Sequence, residues 1–164
     1  VPALAFAGCS NLAEVVFPES VISIGDRAFA GCNAMISFTV PKNMETLGTY
    51  LFANATGLRD ILVESGNASF VSVDGVLFSA DGRTLIQYPV GRAGNYSVPD
   101  GTVQLAAGSF YSAELIEAVA IPDSVVTFGN GDGTPLGSLV FGLYEYPAHL
   151  RIIAIEGSAA ARYA

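Results

Sequence analysis

The most constraining feature of the sequence is a phenylalanine that recurs every 23 residues, at Phe6, Phe29 and Phe52 (29 − 6 = 23 and 52 − 29 = 23). Each lies in nearly the same phrase, which reads Ala-Phe-Ala-Gly-Cys twice and Leu-Phe-Ala-Asn-Ala once. A fixed period of this size indicates one supersecondary unit copied along an axis, with each copy burying its apolar face against its neighbours. We therefore predict a β-rich solenoid whose function lies on a surface rather than in a catalytic pocket.

Within each copy, a short stretch alternates apolar and other residues and then usually ends at a proline. Alternation predicts a half-buried strand, and proline ends it because proline cannot donate to a continuing ladder. A second, shorter apolar stretch ends at a glycine, where the chain turns back. Stacked copies should give a parallel sheet on one side, shorter strands on the other and phenylalanine between them. The predicted sheet strands lie within 12–17, 35–40, 58–63, 116–121 and 150–155.

The repeats are interrupted between residues 64 and 94. Asp74-Gly75 and Asp81-Gly82 each join β-prone runs, which is a strong hairpin signal. We expect a small inserted β-meander that projects from the stack, after which Ala93, Tyr96 and Val98 resume the buried positions. The chain is thus read as a single domain over 1–164, with repeats at 1–63 and 95–155 and the meander at 64–94.

The two ends of the chain carry separate expectations. Ser158 is a good helix N-cap, so residues 156–164 should form a short helical cap on the last repeat. At the other end, Val1 begins inside a repeat, and we expect the chain to be a fragment of a longer protein. The outer edge of the 12–17 strand would then be uncovered, so weak self-association through this N-terminal edge is expected.

Composition excludes several classes of partner. The 164 residues carry a net charge of −8, with only seven lysines and arginines, so neither nucleic acid nor an anionic membrane surface is an expected partner. Half of the residues are hydrophobic, at 51%, yet no run approaches the ~20 apolar residues of a spanning helix, and direct membrane insertion is not expected.

The repeat resembles the BspA-like leucine-rich repeat family of the leucine-rich repeat superfamily. The resemblance rests on ranges 22–32, 70–78 and 119–125, and most clearly on Ile24-Gly25-Asp26-Arg27-Ala28-Phe29-Ala30-Gly31-Cys32. It implies a right-handed superhelix and a non-catalytic adhesion module on a secreted or cell-surface bacterial protein. The implied partner is a protein, such as a host extracellular-matrix or neighbouring-cell surface protein. The alternative is a rigid structural spacer that presents another domain at the cell surface.

No group of residues predicts an enzyme, a metal site or a cofactor. Cys9 and Cys32 are expected to be two buried, reduced side chains, since cysteines at equivalent repeat positions do not converge as a disulfide requires. His149, the one histidine, has no nucleophile or orienting group around it in sequence and is expected to be an ordinary loop residue. The run Asn130-Gly131-Asp132-Gly133 resembles the start of a calcium loop but lacks its regular oxygen ligands and closing glutamate.

The candidate binding surface is the outer face of the parallel sheet. Its predicted outward positions carry small, weakly charged and partly apolar side chains, whereas a plain solvated face usually carries more lysine and glutamate. Contiguous exposed apolar area suggests contact with another protein, and a solenoid offers it over an extended surface. The alternative is that neighbouring domains or the meander cover this face. The predicted binding residues are Glu14, Val16, Ser37, Thr39, Asp60, Leu62, Ala118, Ala120, Ile152 and Ala154.

Overall fold

The protein is described from a computed structural model over residues 1–129 and 149–163. This part of the chain forms twelve short strands and one helix. In chain order these are β1 (Ser23–Ile24), β2 (Ser37–Val40), β3 (Thr46–Leu47), β4 (Asp60–Val63), β5 (Phe70–Val73), β6 (Val76–Ser79), β7 (Thr84–Gln87), β8 (Gly94–Ser97), β9 (Gln104–Leu105), β10 (Ile116–Ile121), β11 (Thr127–Phe128), β12 (Arg151–Ala154) and α1 (Ala159–Tyr163).

The strands stack as a parallel β-solenoid, which confirms the predicted fold class. β2 pairs with β4 so that Ser37 lies opposite Asp60, and β1 pairs with β3 so that Ser23 lies opposite Thr46. Both pairs are separated by one 23-residue period (60 − 37 = 23 and 46 − 23 = 23). Further along the axis, β10 lies between β8 and β12 in a second parallel group.

The recurring phenylalanine forms a stacked ladder inside the solenoid. The Phe29 ring lies 5.3 Å from that of Phe6 and 6.1 Å from that of Phe52. Phe29 and Phe52 are fully buried, whereas Phe6 is half-buried. The copies are also joined through the backbone, because the N–H of Phe29 donates to the carbonyl of Leu51 at 3.1 Å. Sequence and structure agree here because the period alone places these rings above one another.

The meander forms as predicted, but it does not project from the stack. β5, β6 and β7 are antiparallel, and Asp74-Gly75 turns at φ values of 48° and 75°. Its middle strand is buried on both faces, with Leu77 in one hydrophobic core and Val76 and Phe78 in the other. β6 is therefore the wall between the two cores. The projection was wrong because β6 is apolar on both faces, and both faces must be covered.

The predictions for the residues after the meander and for the C-terminal end had mixed outcomes. Val98 is buried and Tyr96 is half-buried, but Ala93 is exposed rather than buried. The predicted helix N-cap is confirmed, because the Ala161 N–H donates to the Ser158 hydroxyl oxygen at 3.1 Å at the start of α1. Among the described residues, no helix has the length and apolar character needed to cross a bilayer.

The predicted first strand, residues 12–17, is not a strand in the structure. The segment runs beside β2, and Phe17 packs edge-on against Phe38 with the ring centroids 5.9 Å apart. No backbone hydrogen bond of the described chain joins residues 13–17 to β2. The side-chain pattern predicted burial correctly, but the ladder that would make this segment a strand does not form.

Candidate functional site

The outer face of the parallel strands is divided into two patches by the turn of the meander. β4 does not pair with β8; instead, the N–H of Ile61 donates to the carbonyl of Gly75 at 2.8 Å. We call the first patch the N-terminal face; it comprises β2, β4 and the neighbouring segment 13–17. The second, the C-terminal face, comprises β8, β10 and β12. The ten predicted binding residues are thus distributed over two surfaces rather than one.

The N-terminal face carries exposed apolar side chains among small polar ones. Val16 is 85% exposed, Ile36 59% and Leu62 44%. Ser37 and Thr39 are also exposed and lie between them on β2, and Glu14 is exposed on the neighbouring segment. Ile36 was not among the predicted residues. Its exposure breaks the alternation of this stretch, because Phe38 and Val40, which share its parity along the strand, are buried.

Asp60, the remaining predicted residue of this face, is held by an ion pair. The Arg92 guanidinium donates to its carboxylate at 2.6 Å, and the two side chains are both partly exposed. Arg92 also donates to the carbonyls of Arg59, at 3.1 Å, and Asp74, at 2.7 Å. One guanidinium thus joins β4 to the meander turn. No sequence signal indicated this contact, because its partners lie 32 and 18 residues away from Arg92.

On the C-terminal face, the prediction for β12 was wrong by one residue. Val119 lies opposite Ile152 in the ladder, and both Ile152 and Ala154 pack against the core. Arg151 and Ile153 are the exposed residues of β12, and the register places them beside Ala118 and Ala120. A one-residue shift moves every side chain to the opposite face of a strand.

The other residues of this face present little exposed surface. Ala118 shares the outward row with Asn95 and Arg151 but is buried, and Ala120 is half-buried between Ser97 and Ile153. Asn95 and Ser97 of β8 are exposed and were not predicted. A sequence signal for them existed, since Tyr96 and Val98 were recognised as inward residues and their neighbours must point outward.

Of the residues considered for chemistry, Cys9 and Cys32 are free thiols that lie close enough to interact electrostatically. Cys9 is exposed, contrary to the expectation that both cysteines are buried, because it lies at a turn of the first repeat with no copy covering it. Cys32 is buried, its thiol donates to the Phe6 carbonyl at 3.3 Å, and burial raises the pKa of that thiol. His149 is exposed in a turn before β12. The run 130–133 lies outside the described residues.

Among the described residues, no group of three or more histidine, cysteine or acidic side chains is arranged to hold a metal ion. The candidate site is the surface of the solenoid, where the N-terminal face groups Val16, Ile36 and Leu62, three of the nine large hydrophobic residues exposed in the described part of the chain.

Comparison with known proteins places this geometry in a class. The family model described as BspA type leucine-rich repeat region, with six copies, matches residues 1–79. The pneumococcal vaccine antigen PcpA is 31% identical, with a TM-score of 0.74, over 93% of this chain and 36% of that protein. A leucine-rich cell surface protein from Faecalibacterium prausnitzii A2-165 is 30% identical, with a TM-score of 0.68, over 88% of this chain and 36% of that one.

A leucine-rich repeat protein from Eubacterium ventriosum, 20% identical with a TM-score of 0.50 over 78% of this chain and 53% of that one, shares the fold. No curated protein matches the chain significantly. The parallel solenoid and its repeat define a leucine-rich repeat protein. More narrowly, residues 1–79 carry BspA-type leucine-rich repeats, and the chain spans about a third, 36%, of the length of the two relatives named above that are at least 30% identical.

Proposed function

We propose that this repeat module is a non-catalytic protein-binding element of a secreted or cell-surface bacterial protein. The observation that carries the proposal is the N-terminal face, where Val16, Ile36 and Leu62 are exposed beside the small polar Ser37 and Thr39. Clustered apolar exposure of this kind favours contact with another protein over simple solvation. The partner is expected to be an extracellular-matrix protein or a protein on a neighbouring cell.

The location at the cell surface is supported by the kind of protein that this chain resembles. One relative at 30% identity is described as a leucine-rich cell surface protein, and another at 31% as a vaccine antigen. These descriptions belong to those proteins. For this chain they support, as part of the proposal, a role outside the cell.

A pair of matched substitutions tests the proposal. Leu62→Asp places a charge on the N-terminal face, whereas Val126→Asp places one beside β11, at an apolar residue that is 60% exposed. Binding of the chain to immobilised fibronectin, laminin and collagen is measured by surface plasmon resonance. We expect Leu62→Asp to weaken binding to whichever protein is bound by roughly tenfold or more, and Val126→Asp to leave it unchanged. Equal effects, or no binding to any of the three above background, would contradict the proposal.

The alternative function is a rigid spacer that presents another domain. It is favoured by the ion pair of Asp60 with Arg92, because this pair couples β4 to the meander and stiffens the centre of the outer face. Replacing this module, within a longer protein that contains it, by an unrelated repeat module of equal length distinguishes the two functions. Loss of attachment to the bound protein favours binding by this module, whereas unchanged attachment favours the spacer.

A further inference from the structure

The edge of β2 that faces away from β4, towards segment 13–17, has no hydrogen-bonded partner strand in the described chain. On its other side, the carbonyls of Ile36 and Val40 accept hydrogen bonds from Asp60 and Glu64, so these groups point to β4. Backbone groups of successive strand residues point alternately to the two sides. The N–H and C=O groups of Ser37 and Thr39 therefore point away from β4, towards segment 13–17.

These four backbone groups are unpaired. No hydrogen bond joins residues 13–17 to β2 within the described chain, and no side chain of that chain bonds to Ser37 or Thr39. Both residues are exposed. An edge of this kind is a template for another strand, because each unpaired group is offered at the spacing of a β-ladder.

A groove separates this edge from the segment that runs beside it. Its volume is about 600 Å³, and it is lined by Val16, Phe17 and Ile36 as well as by the edge of β2. Its described lining includes two carboxylates, Glu14 and Glu64, and no lysine or arginine. Glu64 already accepts a hydrogen bond from the Lys42 N–H at 2.8 Å through one oxygen, which leaves its other oxygen for a ligand.

We propose that this groove binds an extended, basic segment of a partner protein as an added strand on β2. The backbone groups of Ser37 and Thr39 supply the hydrogen bonds, and the exposed apolar side chains favour β-branched residues in the ligand. Glu14 and Glu64 favour a lysine or arginine. This site shares Val16, Ile36, Ser37 and Thr39 with the N-terminal face, but it binds through the backbone edge of β2 and does not include Leu62.

Two alternative occupants of the groove must be distinguished from a partner's basic segment. Segment 13–17 of the same chain would close the groove if it paired with β2. A second copy of the chain could also supply the strand, but each copy carries a net charge of −8 and repels another.

Amide hydrogen exchange measured by NMR distinguishes an open edge from a closed one. In the free protein, the amides of Ser37 and Thr39 should exchange rapidly, while those of Phe38 and Val40, which face β4, should be protected. This alternation is specific to an unpaired edge. If Ser37 and Thr39 are as protected as their neighbours, segment 13–17 occupies the edge and the proposal is overturned.

Titration with the capped peptide Thr-Val-Thr-Lys-Val-Thr tests the ligand class. We expect this peptide to bind and to protect the Ser37 and Thr39 amides. The same peptide with lysine replaced by glutamate, or with N-methylated backbone amides, should bind roughly tenfold more weakly or worse. No binding of the parent peptide, or equal binding of all three, overturns the proposal.

Variants of the protein complete the test. Thr39→Pro removes one edge N–H without touching the ladder to β4, and Thr39→Val keeps that N–H. Only the proline variant should lose the peptide, whereas Leu62→Asp should bind it normally even if its binding to matrix proteins is lost. If Thr39→Pro does not fold, the N-methylated peptide still tests the other half of the ladder, in which ligand N–H groups donate to the Ser37 and Thr39 carbonyls. A dimer in sedimentation that Thr39→Pro dissociates would assign the edge to a second copy and overturn the proposed ligand.

Discussion

At the scale of single residues, Phe29 shows how the repeat stabilises itself. Its ring lies within about 6 Å of four other phenylalanine rings, namely those of Phe6, Phe17, Phe38 and Phe52. The Phe29 ring therefore packs against aromatic rings of both the previous and the next copy. Phe6 has such a neighbour on one side only and stays half-buried.

The first prediction compares these two phenylalanines. Phe29→Ala should lower the free energy of unfolding by about 3–5 kcal/mol, because it removes buried area and leaves a cavity. Phe6→Ala should cost clearly less, since its ring is already partly hydrated. Urea denaturation of both variants provides the measurement, and equal losses would contradict the order of the ladder.

At the scale of structural elements, two Asp-Gly turns of the meander look alike in sequence and differ in the structure. Gly75 and Gly82 have φ values of 75° and 69°, so alanine would be strained at either. Beyond Gly82 there is open space, but a Cβ atom on Gly75 would collide with the Asp60 carboxylate and the Arg92 guanidinium. The turn at Gly82 only reverses the chain, whereas the turn at Gly75 also packs against the Asp60–Arg92 ion pair.

The second prediction uses this difference. Gly82→Ala should cost about 1–2 kcal/mol of stability, the strain of a left-handed alanine. Gly75→Ala should cost more, because the Asp60–Arg92 ion pair must separate as well. Chemical denaturation of the two variants measures the difference. A loss for Gly75→Ala no larger than that for Gly82→Ala would show that the pair contributes nothing to stability.

At the scale of the whole molecule, β6 separates two cores that differ in chemistry. The first is built around the phenylalanine ladder, and the second contains Tyr88 and Tyr96, whose rings lie 5.1 Å apart. Their hydroxyl groups are buried and have no hydrogen-bond partner in the described part of the protein. Burial raises the pKa of both tyrosines, because the charged phenolate is poorly solvated there.

The third prediction concerns alkaline stability. An unfolded tyrosine has a pKa of about 10, so above that pH the unfolded state loses protons that the folded state retains. The raised pKa values therefore leave stability intact below about pH 10 and reduce it as pH rises further. Tyr96→Phe should reduce this alkaline loss and cost little at pH 7, because the hydroxyl has no partner to lose. Urea denaturation at pH 7 and pH 11 tests this, and an unchanged loss at pH 11 would refute it.

Several expectations stay predictions at this scale. The division into repeats, meander and cap as one domain, the partner protein and self-association through the N-terminal edge each await experiment. The structure adds a second unpaired edge to the last of these expectations. Neither segment 13–17 nor the facing edge of β2 has backbone partners in the described chain, so the sedimentation experiment tests association at Ser37 and Thr39 as well.

Features that depend on the 23-residue period and on local turns followed from the amino-acid sequence alone. The 23-residue spacing placed Phe29 above Phe6, the Asp-Gly pairs indicated both hairpins, and Ser158 indicated the start of α1. Each of these needs only neighbouring residues or an exact copy one period away. For the same reason, Val16, Ser37, Thr39 and Leu62 were assigned correctly to exposed positions.

The places where the regular stack is broken depend on packing between distant segments, which no local pattern predicts. Three features involve segments that no fixed period relates. They are the burial of both faces of β6, the contact of Arg92 with Asp60 and the register of β12. The sequence of β12 is compatible with either set of alternate side chains facing the core. Pairing of Ile152 with Val119 in the ladder determines which set does. The gap between segment 13–17 and β2 is of the same kind, because apolar patterning predicts which side chains are buried but not whether backbone groups pair.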